Sequence, residues 1–346
     1  MSNSAGSTDA LTRLILNPKY TKKKISLADG RILSYSECGN VESGMPVLFC
    51  FGLMTSSLAI MFAHHRALRN NLRIIAVDYP GIGESTFQPD RTLDGWADDM
   101  LQFLDEVLGR DTKVRLLGHS LGGLHVLALL SNKTFKQRVI RTVLLCPWLY
   151  IEGDNFNPLW MKVTRGLPGV FQSSVIPFVL TGLSSSSVQI ASWSNPEMNT
   201  VQAAALVMKY ANLQGQAGNE QMVRFALSQS DTYLPHGLES PLLVYYGKQD
   251  TLVLEKNTVE LIRLLKERKC NVTGIAVDDC DHNSVLSRVE NLIKVMSSLV
   301  GDADEWAAEI AKSLGVDKSL SMPEVTAQKI DKATLRKSRS ANPRWK

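Results

Sequence analysis

No apolar run in this chain approaches the ~18 residues that span a bilayer. The opening Met1-Ser-Asn-Ser-Ala-Gly-Ser7 lacks the apolar segment of a secretory leader. Neither a transmembrane helix nor a leader is therefore expected. Cysteine is scarce: Cys38, Cys50, Cys146, Cys270 and Cys280 make an odd number with no C-x-x-C pair. Three of them sit in apolar, strand-like runs, so they read as buried or reduced thiols of a reducing compartment, not as a disulfide framework. There is no Gly-rich phosphate loop, no H-E-x-x-H and no Cys/His cluster with metal-ligand spacing, so no cofactor and no metal are expected. Internal repeats are absent as well.

Charge of one sign is also in short supply. Lys plus Arg number 38 and Asp plus Glu 34, a formal net charge of +4. Pro323–Lys346 holds seven basic residues against two acids, a net of +5, which leaves residues 1–322 at −1. The body offers no basic face for nucleic acid. The 316–346 segment reads as a basic, poorly ordered tail. It is a candidate for weak contact with anionic membrane or lipid surfaces, although a solvated tail is the plainer reading. A cytoplasmic location is expected, with mitochondrial or lipid-associated placement as alternatives.

What is present is an alternation of buried strands and amphipathic helices. Lys24–Leu27 and Arg31–Glu37 flank Asp29-Gly30 and predict a β-hairpin. Pro46–Gly52, Arg73–Asp78, Val114–Gly118, Val139–Pro147, Pro241–Gly247 and Val272–Val277 are short apolar runs of strand length. Helical periodicity fills Ser57–Leu72, Thr92–Gly109, Leu124–Leu130, Leu254–Lys269 and Asn283–Leu299. This alternation predicts an α/β fold with a mostly parallel, doubly wound sheet. It stops between 148 and 239, where helical pieces predict an inserted cap, including one longer helix over Thr200–Ser228. The expected organisation is a disordered lead at 1–20, a core of 21–147 and 240–315, a helical cap at 148–239 and the tail at 316–346. Lys22-Lys23-Lys24 reads as a solvated approach to the first strand.

The most informative stretch is Gly118-His119-Ser120-Leu121-Gly122-Gly123, which follows a strand and opens a helix. G-x-S-x-G in that context forms a sharp turn with the Ser hydroxyl at its apex. The two flanking glycines suit the close approach of strand and helix. The Leu121 N–H, at a helix N-terminus, is a candidate oxyanion donor. A Ser hydroxyl is a poor nucleophile until an imidazole takes its proton, and the imidazole needs a carboxylate to fix its tautomer. His282 and Asp250 lie just past strand ends in the order Ser120, Asp250, His282. For His282 the alternative is a surface-loop histidine; for Asp250 it is a surface acid. Asp278, Asp279 and Asp281 are too near His282 in sequence to reach its Nδ1 comfortably, and Glu152 and Asp154 are held in reserve. His119 is expected to point away from the Ser120 hydroxyl, and His64 and His65 to sit on a helix in ordinary roles. Leu53, after the Pro46–Gly52 strand, is the candidate for the second oxyanion N–H.

Phe51-Gly52, Asp78-Tyr-Pro-Gly-Ile-Gly-Glu-Ser85, Gly118–Gly123, Gly247-Lys-Gln-Asp250 and Asp281-His282 together resemble the α/β-hydrolase superfamily. The likeness covers about residues 24–300 and is greatest to the serine esterase, lipase and peptidase branch with a helical cap. Members of that branch usually carry His-Gly where this chain has Phe51-Gly52; their His supports the oxyanion loop. The resemblance implies a serine hydrolase that cleaves a small or acyl-chain ester through an acyl-Ser120 intermediate. An acyltransferase, an iminopeptidase-type peptidase with Glu152 or Asp154 holding an amine, and a non-catalytic binding protein are the alternatives. Trp160, Met161, Phe171, Phe178, Met208 and Phe225 suggest an apolar pocket, or else simply the core of the cap.

Overall fold

In a computed structural model the β-strands join into one eight-stranded sheet of order β1-β2-β4-β3-β5-β6-β7-β8. The strands are β1 Lys23–Ser26, β2 Ile32–Gly39, β3 Met45–Cys50, β4 Leu72–Val77, β5 Val114–His119, β6 Val139–Leu145, β7 Leu242–Gly247 and β8 Val272–Val277. The structure describes residues 5–152, 156–167, 200–227, 233–282 and 284–287, with 293, 296 and 297. The described residues belong to one compact unit, Met1–Val316.

β1 and β2 form the expected hairpin, with Gly30 at φ +87° in the turn. β2 runs antiparallel to β4, and every later pairing is parallel. Most residues of the parallel strands are buried, because helices cover the sheet, which is why these strands appear in the sequence as largely apolar runs rather than alternating ones.

The helices are α1 Ala5–Ile15, α2 His64–Arg69, preceded by a 3₁₀ turn over Ser57–Ala63, α3 Leu93–Leu108, α4 Gly122–Ser131, α5 Leu159–Gly166, α6 Thr200–Ala211, α7 Ala217–Leu227, α8 Glu255–Glu267 and α9 Ser284–Ser287. Thr92 caps α3 by accepting the Gly95 N–H at 3.0 Å. Leu93, Trp96, Met100, Phe103 and Leu104 then bury one face of that helix, which packs beside α4 and sets Phe103 against Tyr35 of β2 at 5.1 Å.

Three expectations are corrected. The lead is not disordered over 5–15: α1 forms there because Leu11 and Ile15, one turn apart, bury against α6 and the 3₁₀ turn. The single helix expected over Thr200–Ser228 breaks at 212–216, where Gly215 takes φ +90° and donates its N–H to Asn212 O at 3.0 Å. The lysines that open β1 are not merely a solvated approach to it. Lys23 pairs with the buried Glu37, and Lys24 with Glu84 at 3.0 Å.

α5, α6 and α7 are inserted between β6 and β7. Asp154, Phe171, Phe178 and the 303–346 segment lie outside the described residues, as do most of Asn283–Leu299 and the Trp160 side chain. Among the described residues no helix is long and apolar enough to cross a membrane. All five cysteines are free and buried.

Candidate active site

β5 ends at His119, and the chain turns through Ser120 into α4. Ser120 sits at φ +54°, a left-handed conformation that costs an L-residue about 1–2 kcal/mol. The surroundings hold it there: Ser120 N–H donates to Leu145 O at 2.9 Å, and Ser120 O accepts from Trp148 N–H at 2.8 Å and Gly123 N–H at 2.9 Å. The turn also requires α4 to pass very close to β3. A Cβ on Gly122 would meet Cys50 O at 2.0 Å, so only glycine fits.

The Ser120 Oγ lies 2.9 Å from His282 Nε2, and His282 Nδ1 lies 2.8 Å from Asp250 Oδ2. All three residues are buried. Nδ1–H donates to the Asp250 carboxylate, which leaves Nε2 to accept the Ser120 O–H. The second oxygen of Asp250, Oδ1, accepts the N–H groups of Leu252 and Val253, both at 2.8 Å, so the carboxylate cannot rotate away. Asp250 follows β7 and His282 follows β8, each at the carboxyl end of its strand. The competing Asp278, Asp279 and Asp281 are exposed, and Glu152 pairs with Arg165 at 3.6 Å.

His119 faces away from the Ser120 hydroxyl. Its Nε2 lies 3.4 Å from His282 O, and burial pushes its pKa down to about 3. His64 begins α2, buried, with Nδ1 accepting the Gly39 N–H at 3.3 Å; its neighbour His65 is exposed.

The loop after β3 passes directly beside Ser120, since a Cβ on Gly52 would come within 3.0 Å of the Ser120 Cβ. Neither Leu53 N–H nor Leu121 N–H has an internal acceptor among the described residues. Phe51, buried, occupies a slot against the Tyr79 ring at 4.7 Å, and its carbonyl accepts the Tyr79 O–H at 3.0 Å.

Sequence reasoning did not find the next support. Met54, at φ +58°, donates its N–H to Asn219 Oδ1 at 3.3 Å, and Ser56 Oγ donates to Val207 O at 3.0 Å. Two inserted helices thus hold the loop that carries Leu53. Asp78 is a second anchor: its Oδ1 accepts Ser57 N–H at 2.7 Å, and its Oδ2 accepts the hydroxyls of Ser34 at 2.7 Å and Ser57 at 2.9 Å.

Of the apolar cap residues, Met161 is buried and its Sδ accepts the Trp148 Nε1–H at 3.1 Å, as in a core; Met208 and Phe225 are half-buried. Cys146, Asp250 and His282 have potential ligand atoms within 4.8 Å of one another. Asp250 and His282 already bond each other, however, and burial pushes the Cys146 thiol well above its ordinary pKa, which disfavours a thiolate ligand.

Residues 45–289 match the family model described as the alpha/beta hydrolase fold. Among solved structures, an esterase from Exiguobacterium antarcticum superposes with a TM-score of 0.58 at 17% identity, covering 79% of this chain and 97% of its own. An esterase from Rhodococcus sp. ECU1013 does so with 0.57 at 21% identity, covering 80% and 99%. Among curated proteins, the dihydrolipoyllysine-residue acetyltransferase component of the acetoin cleaving system of Pseudomonas putida is 27% identical over 233 residues, 65% of this chain and 56% of that protein. The chain thus spans little more than half the length of that relative. From its sheet order, its strand–turn–helix at Ser120 and the matched span, the chain belongs to the α/β-hydrolase fold family.

Proposed function

We propose that this protein is a serine hydrolase that cleaves a carboxylic ester of a small or acyl-chain substrate. The observation that carries the reading is the continuous hydrogen-bonded line from Ser120 Oγ through His282 to Asp250, at 2.9 and 2.8 Å. In this reading Ser120 Oγ attacks the ester carbonyl while its proton passes to His282 Nε2. The tetrahedral oxyanion accepts the Leu53 and Leu121 N–H groups. As the intermediate collapses, the C–O bond to the leaving alkoxide breaks and His282 returns the proton to it. Water, deprotonated by His282, then releases the acid from acyl-Ser120. The esterase neighbours support the same reaction class, and the core of 21–147 and 240–315 with its cap at 148–239 supplies the division of labour.

A second reading has one observation in its favour. The curated relative is named an acetyltransferase component, and in acyl transfer an alcohol or thiol replaces the water of the second step.

The test is turnover of p-nitrophenyl esters of graded acyl length, with and without an added alcohol, by wild type and Ser120→Ala. We expect a preferred acyl length, free acid as the main product, and loss of at least about 10³-fold in the variant. Ester product in place of acid would select the transferase. If wild type turns over no ester and Ser120 takes no label from a fluorophosphonate, the hydrolase reading is wrong.

A further inference from the structure

Behind the candidate oxyanion loop lies a buried cation that no acid pairs with among the described residues. Arg91 is 6% exposed, and its Nε, Nη1 and Nη2 have no hydrogen-bond partner among the described residues. The acid whose field reaches it, Asp99, is already occupied, with both carboxylate oxygens accepting from Arg31 at 2.8 and 2.6 Å. What surrounds the guanidinium is aromatic. Its Cζ stands 4.9 Å from the Phe225 ring centre on α7 and 5.7 Å from that of Tyr79.

Two further polar atoms in the same cluster are also unsatisfied among the described residues. Trp96 Nε1–H has no acceptor, and the Trp96 ring lies 5.0 Å from Tyr79. His125 is fully buried, its ring 4.2 Å from Tyr79 and 6.3 Å from Phe225, and its Nε2 has no partner.

Cation–π contact offsets only part of the cost of removing a guanidinium from water, and buried charges are ordinarily paired. A planar fork of unused donors, with an indole N–H in the same cluster, is the donor set that binds carboxylate or phosphate. His125 Nδ1 lies 3.2 Å from Leu121 O, so Nδ1 donates there and Nε2 is left to accept from an O–H such as that of hydrogen phosphate. The cluster also touches both segments of the candidate oxyanion hole: Tyr79 O–H holds Phe51 O, and His125 holds Leu121 O.

We propose that Arg91, Trp96 and His125 form an internal oxyanion-binding site beneath α7, which takes a carboxylate or phosphate group. That group comes either from the acyl substrate's own charged end, a source that rests on the hydrolase reading, or from a free anion.

The site is tested by titrating the full-length protein with inorganic phosphate and with glutarate, following Tm and tryptophan fluorescence in wild type, Arg91→Met and Arg91→Lys. We expect wild type to gain about 3 °C at tenfold over Kd, with a fluorescence change from Trp96, and Arg91→Met to show neither. Arg91→Lys, which keeps the charge without the fork, should respond weakly and serves in place of Arg91→Met if that variant fails to fold. The source is read from the ratio of kcat/KM for p-nitrophenyl hemiglutarate to that for p-nitrophenyl valerate. A ratio at least tenfold lower in Arg91→Met than in wild type assigns the site to the substrate's charged end; an unchanged ratio with anion binding intact assigns it to a free anion. An equal response of wild type and the Arg91 variants, or none by wild type at 50 mM of either anion, overturns the site. Absence of ester turnover by wild type together with no fluorophosphonate label on Ser120 sinks the hydrolase reading and leaves the anion titration standing.

Discussion

Asp250 divides its two carboxylate oxygens between two tasks: Oδ1 is fixed by Leu252 and Val253 N–H, and Oδ2 faces His282 Nδ1. An amide in its place would turn its oxygen to the two backbone donors and present NH₂ to the imidazole. Nδ1 would then have to accept, the ring proton would move to Nε2, and His282 could no longer take the Ser120 proton. Asp250→Asn should therefore lower kcat by about 10³–10⁴-fold while the circular dichroism spectrum stays that of wild type. A variant with near wild-type kcat would remove Asp250 from the proposed mechanism. Ser120 follows the same logic of fixed geometry, since its φ of +54° is held by three backbone hydrogen bonds and not by its side chain. Ser120→Ala should consequently leave the turn intact, so that its loss of activity reports on the hydroxyl.

At the level of elements, α7 does more than fill out the inserted helices. Asn219 on α7, fully buried, accepts the Met54 N–H across 165 positions of sequence. Asn219→Ala should let the Leu53 segment relax and lower kcat by about 10- to 100-fold with KM changed little, because an oxyanion donor acts in the transition state. Asn219→Asp, which keeps an acceptor, should retain most of the activity. A rise in KM at unchanged kcat would instead make Asn219 a pocket-shaping residue.

The elements differ in how plainly they can be read from sequence. β3 to β8 are legible because the strands of a covered parallel sheet are largely apolar runs, and the Ser120 turn because strand, glycine and helix must follow within a few residues. Asp250 and His282 are legible from strand ends and chain order. α1 is not, since among its described side chains the buried stripe amounts to Leu11 and Ile15. The 212–216 break within the cap is missed because Asn212 and Gly215 are weak punctuation inside a helical pattern. The Asn219–Met54 bond joins residues with no local relation. Arg91 sits in Gln88-Pro-Asp-Arg-Thr92, a sequence that reads as solvated loop; only tertiary packing puts Phe225 over it.

At the scale of the whole molecule, buried neutral histidines work against stability in acid. The pKa of His119 is pushed down to about 3, first by burial and then by the neighbouring His282, and that of His125 to about 3 by burial and then by Arg91. In the unfolded chain each returns to about 6.5. Below that value the unfolded state binds protons at these two rings that the folded state refuses, so their contribution to stability is complete above pH ~6.5 and is lost progressively as pH falls toward 3. Urea denaturation of wild type and His119→Gln at pH 7 and pH 5 should show the wild type losing up to about 2 kcal/mol more than the variant on acidification. Equal losses would mean that His119 titrates normally in the folded protein.

The sheet order has a consequence for the protein's synthesis. From β5 onward the strands join one edge in the order in which a ribosome makes them, β5, β6, β7, β8. Ser120 therefore emerges first, Asp250 only after the inserted helices, and His282 after the final strand. A chain caught midway through translation carries a strained hydroxyl with no base to activate it. The proposed chemistry thus comes on last, when the sheet that must contain it is already built.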